Sequence, residues 1–349
     1  VMAIDNSKPL PPINVKQQPY ARTDTTIDVQ WEIPEDNKPG DVYTVYARLV
    51  RNNTSYLINK QNYTLKDGAK SVYTNFAFKP NTDASVKSVQ TTGTTARLTG
   101  LNAASPYVIM VTTTRNGVES PVSDYTIANT RFNVSATVNI TAYGASTARP
   151  DNTAAIQKAI DSTPKNGVVV VPAGTFVTGA IFLKDNITLQ LNDGAELKAF
   201  TDFSFGAGSQ EAIVSQYYPE IVTPTGTMFA SLVNLVNSAG LTTVNGVKMI
   251  TDPVSVVDTT VRGVGTLNYN ATTLAQALAY ATPSNNVYNF NAILAVGADG
   301  VCLQDVTIKD TTTLGYNSTN SINVAVNGLK VTSNATLPAK LAVDSMGVQ

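Results

Sequence analysis

From residue 168 onward the chain is a succession of short apolar stretches, each interrupted by Gly, Asn or Asp. Stretches of this length, rich in Val and Ile and bounded by turn residues, predict β-strands. The predicted strands are Val168–Val171, Ala180–Leu183, Ile187–Leu191, Leu232–Val236, Val247–Ile250, Val261–Leu267, Ala292–Val296, Val301–Ile308 and Ile322–Val331. Val301 and Ile322 lie 21 residues apart, as do Thr307 and Gly328. One turn of a β-solenoid needs a step of this size, so stacked coils are expected, with insertions near 201–230 and 268–290.

The first 130 residues follow a different pattern, in which alternating strands come after a proline-rich leader at residues 1–20. Apolar and polar residues alternate along Ile27–Trp31 and Val42–Val50, which predicts half-buried strands. Tyr107 follows Leu101 by six residues, a spacing that resembles the tyrosine corner of fibronectin type III domains. This resemblance implies a fibronectin type III-like β-sandwich over residues 1–131, acting as a spacer or, alternatively, as a sugar- or partner-binding module.

Composition excludes several classes of function. A chain of 349 residues suits two domains, and a net charge of −1 with 14% charged residues argues against nucleic-acid or acidic-membrane partners. No apolar run reaches the roughly 18–20 residues that span a bilayer. The single cysteine, Cys302, excludes an intrachain disulfide and is expected to be buried. Without histidine, a transition-metal site is not expected, although oxygen ligands leave calcium open. No cofactor is predicted.

Residues 132–200 resemble the opening segment of polygalacturonases, the glycoside hydrolases that cleave pectin. The similarity lies in the runs Tyr143-Gly144-Ala145, Asn152–Asp161, Val171–Phe176, Thr178–Lys184 and Asp193-Gly194-Ala195. The resemblance implies a right-handed parallel β-helix of the pectin-lyase-like kind over residues 132–349, truncated relative to the family. A short amphipathic helix, Thr153–Asp161, would cover the N-terminal end of the stack. The fold class is therefore all-β.

The resemblance weakens where the chemistry should lie. Val261–Leu267 is similar to a Gly-x-Gly-Thr strand of the family, but Asn268 and Tyr269 replace the Asp-Gly that follows. Members of the family invert the anomeric carbon with paired carboxyl groups. Their first catalytic aspartate matches only Asp344, which lacks the neighbouring Asn and Gly of the motif. The later Asp-Asp, Gly-His-Gly and Arg-x-Lys motifs have no counterpart before Gln349, so no catalytic residue is expected beyond the weak candidate Asp344.

Uronate binding would need basic side chains, because the sugar carries a carboxylate. Arg262, Lys309 and Lys330 are the candidates for such contacts, although they are isolated in the sequence. The nearby acidic residues are predicted to be turn, edge or loop residues: Asp252, Asp258, Asp299, Asp305 and Asp310.

Three functions remain open on this sequence. The first is a secreted, non-catalytic structural or surface-assembly protein, which the neutral Thr-, Ser- and Asn-rich composition and the missing acid–base pair favour. The alternatives are a polygalacturonase acting on pectin, or a fragment of one, and a carbohydrate-binding protein with a polysaccharide ligand. Self-association head to tail into filaments is expected through the apolar leader Val1–Ile4, which could pair with an exposed strand edge of a neighbour.

Overall fold

The structure is a computed structural model that describes residues 8–50, 86–204, 206, 208–223, 226–270, 273, 291–311 and 315–332. The chain divides into two compact units, Val1–Asn133 and Val134–Gln349. The boundary predicted after residue 131 lies two residues before this division. Asp344 and the leader Val1–Ile4 lie outside the described residues.

The described part of the first unit is a β-sandwich of two antiparallel sheets. One sheet has the order β1-β2-β5, and the other has the order β4-β3-β6-β7 with β8 paired to β6. The strands are β1 Ile13–Arg22, β2 Ile27–Glu32, β3 Val42–Leu49, β4 Val86–Thr91, β5 Thr95–Leu98, β6 Pro106–Arg115, β7 Val118–Glu119 and β8 Thr126–Asn129. Alternation along β2 and β3 turns one set of side chains toward the space between the sheets, as the sequence predicted.

Three residues predicted for the core of this sandwich are buried there. Trp31, Leu101 and Tyr107 are each at most 4% exposed and belong to one apolar cluster. The Trp31 ring meets the Tyr43 ring edge to face, with centroids 5.7 Å apart. The hydroxyl of Tyr107 accepts a hydrogen bond of 2.7 Å from the backbone N–H of Asn102. This bond back to the backbone is the predicted tyrosine corner.

The described part of the second unit is a parallel β-helix whose strands form three stacked sheets. Sheet 1 has the order β9-β10-β13-β21-β24-β27, sheet 2 has β11-β14-β22-β25-β28, and sheet 3 has β12-β17-β23-β26 with β20 antiparallel to β17. The strands are β9 Thr137–Asn139, β10 Val168–Val171, β11 Gly174–Thr178, β12 Ile181–Phe182, β13 Thr188–Leu191, β14 Ala195–Ala199, β17 Val233–Asn237, β20 Val254–Ser255, β21 Val257–Arg262, β22 Thr266–Asn268, β23 Ile293–Val296, β24 Asp299–Gln304, β25 Thr307–Lys309, β26 Tyr316–Thr319, β27 Ile322–Asn327 and β28 Lys330–Thr332.

Stacked aliphatic side chains fill the interior of the β-helix. In sheet 1 the residues in register are Val169, Leu189, Val261 and Leu303, all fully buried. In sheet 2 the corresponding row is Phe176, Leu197, Leu267 and Ile308. Burying one such side chain contributes about 1.5–3 kcal/mol. The core therefore comes from repetition of apolar positions, and the predicted all-β fold class, a β-sandwich followed by a parallel β-helix, is confirmed.

The predicted step of 21 residues between the last coils is wrong. Val301 pairs with Val324, and Thr307 pairs with Lys330, so the step at both positions is 23 residues. The prediction paired Val301 with Ile322 because both residues are apolar. In the structure Ile322 is 52% exposed and lies beside Asp299 at the start of the strand.

The predicted helix is present over Thr153–Ser162, with Ile156, Ala159 and Ile160 buried. Its Gln157 side chain accepts a 2.8 Å hydrogen bond from the N–H of Phe182 and donates one of 3.0 Å to its carbonyl. Phe182 belongs to β12, the first strand of sheet 3. The side-chain amide thus satisfies a strand edge that would otherwise be open, which is the role of a solenoid cap.

A lateral sheet lies outside the three-sheet stack, with the order β16-β15-β19-β18. Its strands are β15 Glu220–Thr223, β16 Gly226–Phe229, β18 Leu241–Val244 and β19 Val247–Ile250. A short helix, Gln210–Ser215, precedes it, and 3-10 turns occur at Ile140–Tyr143 and Ser238–Gly240. The insertion predicted near 201–230 supplies β15, β16 and this helix. Within the described ranges, no helix is both long and apolar enough to cross a membrane.

Candidate functional site

The outward face of sheet 2 carries two parallel rows of mostly polar side chains, called here the polar face. They alternate with the buried row of Phe176, Leu197 and Leu267, so they point away from the core. The first row is Thr175, Glu196, Thr266, Thr307 and Lys330. The second row is Val177, Lys198, Asn268, Lys309 and Thr332.

The side chain of Glu196 is held in place on the polar face by two hydrogen bonds. Its two carboxylate oxygens accept hydrogen bonds from the hydroxyl of Thr175 at 2.7 Å and from the amide of Asn268 at 2.6 Å. Partial burial alone would raise the pKa of Glu196. The two hydrogen bonds and the positive charges of Lys309 and Lys198 outweigh burial, so the pKa of Glu196 lies below its usual value. Glu196 is therefore a carboxylate at neutral pH.

The polar face brings together two of the three predicted basic residues. Lys309 and Lys330 are both exposed and lie on the adjacent strands β25 and β28. Arg262 lies instead at the end of β21 in sheet 1, where its Nε donates a 3.1 Å hydrogen bond to the side chain of Gln190. Lys198 was missed by sequence reasoning, although the alternation in Ala195–Ala199 could have placed it beside Glu196.

Two of the aspartates predicted to be turn or edge residues occupy such positions. Asp305 and Asp310 each follow a strand, with φ values of 65° and 53° in the left-handed region that Asp tolerates in turns. The prediction of Asp258 as a loop residue is wrong, because Asp258 lies within β21 and is 8% exposed, with a φ of 49°. Asp299 accepts a 2.7 Å hydrogen bond from the side-chain amide of Asn323 on the next coil. The weak catalytic candidate Asp344 has no described position.

A pair of glutamates was not found by sequence reasoning. Glu220 begins β15 and is 8% exposed, and Glu211 lies in the helix Gln210–Ser215. Burial, the hydrogen bond with Glu211 and the negative charge of Glu211 together raise the pKa of Glu220 to about 7, and burial is the largest of these causes. A carboxyl group with such a pKa keeps its proton at pH values where ordinary carboxyls are ionised. Nothing in the local sequence Pro219-Glu220-Ile221 signals this burial.

Cys302 is 5% exposed, in agreement with the prediction of a buried thiol. Among the residues with a described position, no group of three or more Cys, Asp or Glu side chains could hold a metal ion.

The three stacked parallel sheets and the helix at one end define a β-helix of the pectin-lyase-like class. Residues 137–341 match the family described as rhamnogalacturonase A/epimerase, pectate lyase-like. The match covers more than half of the chain, so the chain belongs to this family. The predicted polygalacturonase-like β-helix is thereby confirmed.

Individual proteins resemble parts of the chain. An exo-poly-α-D-galacturonosidase from Dickeya chrysanthemi is 30% identical over 230 residues, which are 65% of this chain and 36% of that protein. This chain thus spans about a third of the length of that curated relative. The Family 28 exopolygalacturonase of Yersinia enterocolitica aligns with a TM-score of 0.63 over 93% of this chain and 60% of that one, at 21% identity. This structural likeness shows a shared fold. The FN5 domain of Drosophila Lar matches 36% of this chain and 99% of its own, with 17% identity and a TM-score of 0.23.

Proposed function

We propose that the protein carrying these residues is a polygalacturonase-type glycoside hydrolase that acts on galacturonate polymers. The observation that carries the proposal is the 30% identity to an exo-poly-α-D-galacturonosidase over 230 residues. The membership in a pectate lyase-like family over residues 137–341 is consistent with it. Thus the family and the relative favour the alternative function in the sequence analysis over the non-catalytic one. The substrate is a cell-wall polymer, so secretion is part of the proposal.

Hydrolysis of a glycosidic bond needs a carboxylic acid for the leaving oxygen and a carboxylate that activates water. Asp344 is proposed as one member of that pair, because it matches the first catalytic aspartate of the polygalacturonase motif. The rest of the motif is absent around it. The role of Asp344 is therefore the part of the proposal that an experiment must address first.

The test is the release of reducing sugar from polygalacturonate by the purified protein, with a neutral glucan as control substrate. We expect release from polygalacturonate alone, and we expect Asp344→Asn to reduce the rate by at least about 100-fold, as loss of a general acid or base does. The matched control is Asp310→Asn, since Asp310 is a turn residue. A folded wild-type protein that releases no sugar would contradict the hydrolase function and favour a non-catalytic function.

A second candidate function, self-assembly, is favoured by one exposed strand edge. Every residue of β18 is exposed, and its sequence Leu-Thr-Thr-Val carries no charge or proline. The turn to β19 is Asn245-Gly246 with φ values of 50° and 85°, typical of a two-residue hairpin. Hydrogen-bonded pairs alternate from Val244–Val247, so the N–H and C=O of Thr243 point away from β19. Uncharged edges of this kind pair with other strands.

Sedimentation velocity over a wide concentration range tests this second candidate. We expect concentration-dependent association that Thr243→Pro removes, because proline has no N–H to donate. Thr243→Val keeps the N–H and is the matched control. Association that persists in the proline variant, or a monomer at every concentration, excludes pairing through β18. Filament formation through Val1–Ile4 stays a prediction, since those residues have no described position.

A further inference from the structure

We propose that the polar face of sheet 2 is a binding surface for an acidic polysaccharide chain, which rests on the galacturonate specificity of the proposed function. The three positively charged groups on this face are Lys198, Lys309 and Lys330. They stand among threonines, one asparagine, one valine and one glutamate in the two outward rows. Three positive charges against one negative charge leave an excess of two.

The spacing of these lysines follows from the β-helix. Lys198 and Lys309 occupy the same row, separated by the strand that carries Asn268, so their Cα atoms are roughly 10 Å apart at about 4.8 Å per rung. Lys330 lies on the next strand in the other row, diagonally from Lys309 at about 7–8 Å. The lysines therefore lie at successive heights along the β-helix axis, so one extended anionic polymer could contact all three.

The ammonium groups of the polar face are available to a ligand. Within the described residues, no hydrogen bond and no ion pair within 4 Å engages Lys198, Lys309 or Lys330. The negative charge of Glu196 is satisfied by the neutral donors Thr175 and Asn268. Elsewhere in the chain, Arg97 and Arg115 are bound to aspartates at 2.7–3.0 Å.

The same hydrogen bonds hold the surface in shape. Asn268 is 7% exposed, and its side chain also accepts a 2.9 Å hydrogen bond from the N–H of Asn270. Glu196, Thr175 and Asn268 therefore form a hydrogen-bonded group on the same face as the lysines. These three side chains are held before a ligand arrives, so they lose little freedom on binding, whereas the lysine side chains remain free to reach the ligand.

A polysaccharide fits this surface better than a protein does. Val177, half-buried, is the one apolar side chain of the two rows, and none of their residues is aromatic. Protein interfaces rely on a buried cluster of aromatic and aliphatic anchors, which these rows lack. Thr266 and Thr307 are neighbours in the first row and Thr332 lies in the second row, so three adjacent strands instead offer hydroxyl groups that can bond to sugar hydroxyl groups.

The test compares two double variants that each remove two positive charges from the second unit. Lys309→Gln/Lys330→Gln changes the polar face, whereas Lys158→Gln/Lys165→Gln removes two exposed lysines near the N-terminal helix. Affinity electrophoresis measures binding to sodium polygalacturonate and to fully methyl-esterified pectin. We expect the polar-face variant to bind polygalacturonate about 10-fold more weakly, the loss of two exposed ionic contacts, and the control variant to bind within about 2-fold of wild type.

The wild-type affinity for polygalacturonate should exceed that for the esterified polymer and should fall when salt is raised, because the contacts are ionic and exposed. Equal binding by the polar-face variant and wild type overturns the inference, and so does an equal loss in the control variant. Hydrolysis is measured in the same samples. Wild-type binding without sugar release counts against the hydrolase function alone, whereas sugar release with unchanged binding in the polar-face variant counts against the polar face alone.

Discussion

The titration of Glu220 should make the stability of the second unit depend on pH. The pKa of Glu220 is about 7 in the folded protein against an ordinary value of 4.5. Between these pH values the folded state binds a proton that the unfolded state has released, so the free energy of unfolding falls as pH rises through this window. We expect Glu220→Gln to raise the melting temperature by about 2–4 °C at pH 8, and to change it little at pH 4.5.

Calorimetry at pH 4.5, 6 and 8 checks this expectation. Glu211→Gln is the informative control, because it removes the neighbouring negative charge while Glu220 remains buried. Its effect should therefore be smaller and in the same direction. The informative quantity is the difference between the melting temperatures of Glu220→Gln and wild type. If this difference is the same at pH 4.5 and pH 8, Glu220 has an ordinary pKa in the folded protein.

Residue identity and strand alternation were enough to place some members of the polar face. Lys309 directly follows the predicted strand Val301–Ile308, Lys330 lies within the predicted strand Ile322–Val331, and both are exposed. The contact between Asn268 and Glu196 could not be predicted, because the two residues are 72 apart in sequence. Their meeting depends on the coil length between β14 and β22, and an insertion with its own sheet lies in that interval. The burial of Glu220 could not be predicted either, because Glu220 lies within that insertion.

Corner residues decide where one strand of a coil ends and the next begins. Three predicted strands are in fact two strands each: Val261–Leu267, Val301–Ile308 and Ile322–Val331. Each is broken by a residue in the left-handed region, namely Gly263, Asp305 and Gly328 with φ of 110°, 65° and 70°. Apolar patterning continues across these corners because both flanking strands face one core. A prediction from hydrophobicity alone therefore joined each pair of strands into one, although the solenoid itself was predicted from the sequence.

The corner at Gly263 leads to a prediction about coil packing. A Cβ at Gly263 would collide with the carbonyl oxygen of Leu191 on the preceding coil, and its φ of 110° disfavours any L side chain. We expect Gly263→Ala to lower the free energy of unfolding by about 2–4 kcal/mol, since neither the backbone angle nor the neighbouring strand can adapt without loss of packing. Urea denaturation measures the change.

Gly206 provides the control for this substitution. It lies in the same unit, has no other atom within 4 Å of an added Cβ, and its φ is outside the left-handed region. Gly206→Ala should therefore change the free energy of unfolding by no more than about 0.5 kcal/mol. Similar effects of the two alanine substitutions would mean that the close approach of the coils at Leu191 is relaxed in solution.

At the scale of the whole molecule, the first unit should fold without the second. Residues 1–133 have their own apolar cluster around Trp31 and two sheets that pair within the unit. We expect this segment, expressed alone, to unfold in one cooperative transition, as small domains with one core do. Trp31→Ala should cost about 3–5 kcal/mol, because a fully enclosed aromatic side chain leaves a large cavity. Typical domains have only about 5–15 kcal/mol of stability, so this variant should be close to unfolding at room temperature.

Val118→Ala is the matched control, since Val118 is 41% exposed on the edge strand β7 of the same unit. Its truncation should lower the free energy of unfolding by no more than about 0.5 kcal/mol. Guanidinium denaturation followed by Trp31 fluorescence measures the wild type and Val118→Ala, while far-UV circular dichroism follows Trp31→Ala, which lacks the sole tryptophan. A broad, non-cooperative transition of the isolated segment would mean that the sandwich depends on residues beyond 133 for its fold.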